Sequence, residues 1–225
     1  MAFILNIETA TTVCSVALSD NEKLVAVREV NAGYTHAENI TVFIDEVLKE
    51  AGLGPSDLDA VAVSRGPGSY TGLRIGVSAA KGLCYALDIP LIAVDTLAAM
   101  AQGMKSAKDV LLCPMIDARR MEVYCAVYDG SGREREPVSA KIIDESSFAG
   151  ILEKNRVIFF GDGAAKCKAV LGKNSHAVFV DDIHPSSKHM IPLAWEKFSE
   201  KEFADLAYFE PFYLKEFIAG KKGPL

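Results

Sequence analysis

The stretch Ala60-Val61-Ala62-Val63-Ser64-Arg65-Gly66-Pro67-Gly68-Ser69-Tyr70-Thr71-Gly72-Leu73-Arg74 decides the fold. Ala60 to Ser64 is a short apolar run of the kind that makes a buried strand. Gly66-Pro67-Gly68 turns the chain tightly, and a helix follows from about Thr71 to Leu87. Leu91 to Val94 is a second buried strand, and Thr96 to Met104 a short helix. Strand, helix, strand, helix in that order predicts parallel strands joined by crossovers.

On the N-terminal side the pattern differs. Phe3 to Ile7, Val13 to Leu18 and Leu24 to Val30 read as three strands. The short turns between them, Thr9 to Thr12 and Asp20-Asn21, imply antiparallel pairing. A helix follows at about His36 to Ala51, with apolar residues at Ile40, Phe43, Ile44, Val47, Leu48 and Ala51. Thr35-His36-Ala37-Glu38 fits a capping box, and Gly52 stops the helix. The polar Lys105 to Asp109 is the expected boundary between a lobe of residues 1–106 and a second of 107–225. The second half repeats the plan. Strands are expected at Val110 to Ile116, Glu122 to Tyr128, Val138 to Ile143, Val157 to Phe160 and Val178 to Val180. Helices are expected at Asp144 to Lys154, Ala164 to Leu171 and Ser186 to Phe198, the last restarting at Pro192. Asp129 to Gly132 is a hairpin turn, and Glu210 to Leu214 an extended tail that could return to the first lobe. The repeat is one of architecture and not of sequence.

Length and composition restrict the function classes. A chain of 225 residues that is half hydrophobic can bury a proper core and is not disordered. No apolar run reaches the ~18 residues of a membrane helix, and no basic leader precedes Glu8. A cytoplasmic location is expected. The cysteines, Cys14, Cys84, Cys113, Cys125 and Cys167, have no C-x-x-C spacing and read as buried thiols. Net charge is −6, and the acid excess lies in residues 1–106, with 7 Lys+Arg against 12 Asp+Glu. Such a lobe suits docking better than primary contact with nucleic acid phosphates. A local basic patch on the second half stays open.

Three stretches are candidates for chemistry. Gly66 to Arg74 sits where a strand meets a helix and could hold an anion, yet it lacks the Lys-Ser/Thr of a P-loop. Glu8, Thr9 and Thr11 in the first turn could approach a metal-bound phosphate, although an ordinary polar turn explains them more simply. Gly161, Asp162 and Gly163 form a second candidate phosphate loop, in which Asp162 is expected rather to cap the helix. No metal site is expected, because no two of His36, His176, His184 and His189 have i, i+4 spacing. Gly72, Gly76 and Ala80 recur every four residues on the second helix. Each interior glycine costs about 1 kcal/mol relative to alanine, so another backbone must pack close. That backbone could belong to this lobe or to another subunit.

Ile4 to Thr12, His36 to Leu48, and Gly66 to Arg74 with Gly76 resemble the TsaB family, also called YeaZ, bacterial proteins of tRNA threonylcarbamoyladenosine biosynthesis. Pro211-Phe212-Tyr213-Leu214 is similar to the family's ending. The resemblance implies a two-lobed, actin-like (ASKHA, ribonuclease H-like) α/β fold with mixed sheets flanked by helices. It implies a non-catalytic partner subunit of the catalytic relative TsaD, joined by a TsaE-type ATPase, touching tRNA indirectly and forming a homodimer when alone. It places the dimer surface on the two helices, at His36, Asn39, Ile40, Phe43, Gly72, Leu73, Gly76, Ala79, Ala80 and Leu83. Gly76→Arg is then expected to abolish pairing and leave the monomer folded. The histidine metal motif of the catalytic relative has no match in Val94 to Met100, and Ala10 stands where actin-like ATPases carry glycine. No cofactor is expected to be required, with ATP or ADP bound only weakly or within a complex. The alternative is an actin-like nucleotide-dependent enzyme or a glycoprotease-like peptidase.

Overall fold

The computed structural model describes residues 1–33, 35–104 and 110–215. The expected boundary at Lys105 to Asp109 lies outside them.

Two five-stranded sheets carry the chain. The first contains β1 (Phe3–Glu8), β2 (Val13–Asp20), β3 (Lys23–Asn31), β4 (Ala60–Gly66) and β5 (Leu91–Asp95), in the order β3-β2-β1-β4-β5. The second contains β6 (Val110–Asp117), β7 (Glu122–Tyr128), β8 (Glu134–Ile142), β9 (Arg156–Phe160) and β10 (Ala177–Val180), in the order β10-β9-β6-β7-β8. Read from the other edge, the second order is the first. In each sheet three antiparallel strands lead and two parallel strands follow. The lobe is therefore duplicated.

The helices are α1 (His36–Ala51), α2 (Tyr70–Leu87), α3 (Thr96–Gly103), α4 (Ala149–Leu152), α5 (Ala164–Leu171) and α6 (Ile191–Glu200). Helices α1 and α2 cover one face of the first sheet, where Leu5, Ile7, Val16, Ile40, Val47, Val63, Val77 and Ala80 form one core. The opposite face carries Ile4, Ala62, Ile92 and Val94, closed by Met190 and Ala194. These last two belong to the C-terminal segment, so the end of the chain roofs the first lobe. Helix α3 joins the lobes. Ala99 meets the first sheet, while Leu97 and Met100 pack with Leu112, Ile116 and Phe160 of the second. Full burial of Leu97 is worth about 2 kcal/mol, and it keeps the lobes from separating freely.

The local structure departs from the sequence reading at Thr35 and at Asp144. Thr35 precedes α1 but its hydroxyl caps no backbone N–H. It accepts instead from Asn39 Nδ2 at 2.8 Å, so the capping box does not form. The expected helix over Asp144 to Lys154 shrinks to Ala149–Leu152. Asp144 Oδ1 accepts from Ser146 N at 2.9 Å, Ser146 Oγ at 2.8 Å and Ser147 Oγ at 3.0 Å. A short acceptor side chain thus offers the backbone a turn in place of a helix.

Candidate functional site

In both lobes the turn between the parallel strand and its helix clamps the first hairpin of the same lobe. Gly66 has φ +114° and Gly161 has φ +101°, a region closed to most side chains. A Cβ on Gly68 would strike Ala10, and one on Gly161 would strike the Met115 carbonyl. Ser69 N donates to Ala10 O at 2.6 Å, and Ser69 Oγ accepts from Gly72 N at 3.2 Å to cap α2. Gly163 N donates to Met115 O at 3.0 Å. Ser69 N, Gly72 N and Gly163 N are thus committed to the chain itself.

The small-residue stripe on α2 has an occupant inside the molecule. Thr9 Oγ1 donates to Gly72 O at 2.8 Å, and a Cβ on Gly76 would overlap that same hydroxyl. A Cβ on Gly72 would strike the Thr9 carbonyl and lie 3.3 Å from His36 Nε2. His36 Nε2 donates to Thr11 O at 2.8 Å, and burial pushes this imidazole below the usual histidine range. The backbone that approaches the glycines is thus the β1–β2 turn.

This corrects part of the expected dimer surface. His36, Ile40, Gly72, Leu73, Gly76 and Ala80 are buried within the chain. Gly76→Arg would break the monomer, not merely its pairing. Asn39, Phe43, Ala79 and Leu83 are half-exposed. The outward row on α2 is Ser78, Gly82 and Ala86, all exposed, with open space beyond Gly82. Half-buried Ile75, Ala79 and Leu83 flank it. Counting every fourth small residue picks out both rows, and the pattern alone does not tell the inner from the outer.

The candidate phosphate residues fall at two turns, and each turn is met by a carboxylate of its own. Glu8 is fully buried. Its Oε1 accepts from Ala10 N at 2.6 Å, Ser64 Oγ accepts from Thr9 N at 3.3 Å, and Glu8 Oε2 has no hydrogen-bond partner among the described residues. Burial pushes the Glu8 carboxyl up to about 7. In the second lobe Asp162 Oδ1 accepts from Asp117 N at 3.1 Å. Helix α5 begins at Ala164, and its N-cap position, Gly163, has no side-chain cap, so the Asp162 carboxylate serves the Asp117 N–H and not the helix start. A carboxylate on a backbone N–H takes the place an anionic oxygen would use. Among the described residues no group of three His, Cys, Asp or Glu side chains gathers to hold a metal ion.

The tail returns to the first lobe through contacts between residues far apart in the chain. Arg65 and Asp95, at the ends of neighbouring parallel strands, pair through Nε–Oδ1 at 2.7 Å and Nη2–Oδ2 at 3.1 Å. Phe212 N donates to Arg65 O at 2.7 Å, and the Arg65 guanidinium lies 5.7 Å from the Phe212 ring centre. The Tyr70 and Tyr213 rings lie 4.7 Å apart. The strand register, Gly66 opposite Asp95, is the signal that could have suggested the ion pair.

A duplicated lobe of this strand order, hinged on a shared helix, defines the class: an actin-like α/β protein of the ASKHA type. The family model described as "TsaD: tRNA N6-adenosine threonylcarbamoyltransferase" matches residues 29–221. The chain is 35% identical to the tRNA threonylcarbamoyladenosine biosynthesis protein TsaB of Escherichia coli, over 98% of each chain. It is 33% identical to TsaB of Haemophilus influenzae, over 98% of this chain and 97% of that one. The solved structure of YeaZ from Pseudomonas aeruginosa superposes with a TM-score of 0.78 at 27% identity, covering 95% of this chain and 100% of that one. The chain belongs to the TsaB (YeaZ) family of the TsaD-like superfamily.

Proposed function

We propose that this protein serves tRNA threonylcarbamoyladenosine biosynthesis as a non-catalytic subunit, paired with a TsaD-type transferase and joined by a TsaE-type ATPase. The observation that carries the reading is the end-to-end similarity to TsaB proteins, which covers both lobes and the tail. The geometry supports the absence of a catalytic role. The turns at Glu8 and Asp162 hold their own carboxylates on backbone N–H groups, and a buried carboxyl titrating near 7 opposes a phosphate beside it. ATP or ADP would therefore bind weakly, or only where a partner completes the site. A role in tRNA modification supports a cytoplasmic location.

The docking surface is the outer face of α1 and α2. Ser78, Gly82 and Ala86 keep side chains short there, and Ile75, Ala79 and Leu83 supply apolar edge. A partner helix can approach such a row closely. In the absence of the transferase a second copy of this chain takes the same face. Ala79→Arg tests the assignment, because its long side chain can reach solvent without entering the core. Monomer stability is expected to change by no more than about 0.5 kcal/mol, while pairing with a TsaD-type protein in size-exclusion chromatography is lost. Normal pairing by that variant would refute the surface.

A further inference from the structure

The tail crosses from one lobe to the other and assembles a basic strip on an acidic protein. Arg74 Nε donates to Tyr213 Oη at 3.2 Å, and the Arg74 guanidinium lies 4.0 Å from the Tyr70 ring centre. Two residues further on, Lys215 pairs with Glu122 of β7. Glu122 closes the β6–β7 turn, its N–H donating to Arg119 O at 3.1 Å. Contacts thus run from Arg74 to Tyr213 of the tail, and from Lys215 two residues on through Glu122 to the turn that carries Arg119 and Arg120.

The charges on this line do not cancel. The neighbouring acids are engaged: Asp95 with Arg65, Asp117 with Lys166, Glu122 with Lys215. Arg74, Arg119 and Arg120 are exposed and have no carboxylate partner among the described residues. The turn itself adds a second observation. Arg119 has φ +72° and Arg120 has φ +51°, a conformation that costs an L side chain about 1 kcal/mol and that glycine or asparagine would adopt more easily. The equivalent turn of the first lobe, Thr9 to Thr12, is largely buried against α2. This one points its arginines into solvent, so packing gives no reason for them.

We propose that Arg74, Arg119 and Arg120, with the Tyr70–Tyr213 pair beside them, grip the phosphodiester backbone of an RNA. The proposal rests on the reading above that the chain serves tRNA modification, and it gives this subunit a direct contact with the tRNA. Guanidinium forks fit phosphate oxygens bidentately. Contacts of this kind position an RNA without reading its sequence. With a net charge of −6 working against it, binding by the isolated chain is weak and confined to low salt.

The test is fluorescence anisotropy of an unmodified tRNA transcript with the full chain, titrated in KCl between about 50 and about 200 mM. Each phosphate contact contributes about −0.7 to −0.9 to the slope of log K against log salt. The double variant Arg119→Gln/Arg120→Gln should shallow that slope by about 1.5 and weaken binding at low salt by about tenfold or more. Lys154→Gln/Arg156→Gln removes the same charge at the opposite end of β9 and should bind as the parent does. Equal losses in both variants, no loss in the first, or no binding by the parent near 50 mM would overturn the proposal. So would a first variant that keeps RNA but no longer pairs with a TsaD-type protein, which would make the strip a seat for an acidic partner. Pairing retained together with RNA binding lost supports the strip. A parent chain that does not pair with a TsaD-type protein would sink the subunit reading, while salt-dependent RNA binding lost only in the first variant would still support the strip.

Discussion

Gly76→Ala probes the seating of the β1–β2 turn against α2. Taken alone, a glycine replaced by alanine inside a helix gains about 1 kcal/mol. The structure reverses that sign, because the new Cβ falls on Thr9 Oγ1, a fully buried hydroxyl that already donates to Gly72 O at 2.8 Å. Forcing a methyl into a closed space costs about 1–3 kcal/mol, and displacing the hydroxyl from its acceptor adds about 1 kcal/mol. The net expectation is a loss of about 2 kcal/mol, or about 4–8 °C in Tm for a chain of this size. Thr9→Ala removes Oγ1 and leaves the Thr9 Cβ at 3.4 Å from the new methyl, an ordinary contact. In that background Gly76→Ala should be neutral or gain up to about 1 kcal/mol, so the two changes couple by about 2–3 kcal/mol. Urea unfolding of the four proteins measures the cycle. Additive effects, or a single Gly76→Ala that stabilises the monomer, would refute the intramolecular seating.

Three further changes follow from the same geometry. Burial holds the folded-state Glu8 carboxyl at about 7, against an ordinary 4.5, so the unfolded chain ionises first and stability falls as pH rises between those values. Glu8→Gln should match the parent near pH 4 and exceed it by about 3 kcal/mol above pH 7; parallel stability curves for the two proteins would refute the burial of this charge. Gly66→Ala would place a Cβ 2.7 Å from Phe212 O in a backbone region that disfavours side chains. It should cost about 2 kcal/mol and release the tail, read as faster proteolysis after residue 208. Asp144→Ala removes the acceptor of three hydrogen bonds at an exposed turn and should cost about 1 kcal/mol in thermal melts.

The alternation of elements was legible from sequence because burial imposes it. Strands such as Ala60 to Ser64 are apolar on both faces, and α1 shows a clear apolar row. Local competition was not legible. Thr35 and Asp144 both carry side chains suited to helix starts, and each is taken by a nearer partner, Asn39 in one case and Ser146 with Ser147 in the other. The site was half legible. A glycine stripe says that something packs close, and only the fold shows that Thr9 is what fills it. The exposed row Ser78, Gly82, Ala86 lies in the same helix, and small residues facing solvent and small residues facing a neighbour share one spacing. The tail contacts join residues 139 positions apart, Arg74 and Tyr213, a separation at which no local pattern exists.

The most direct test of the subunit role is reconstitution on unmodified tRNA, with threonylcarbamoyl-adenylate as donor and a TsaD-type transferase with its TsaE-type ATPase. Modified adenosine should form only when this chain is added, and this chain alone should form none. Full modification in its absence, or transfer by the isolated chain, would contradict the account.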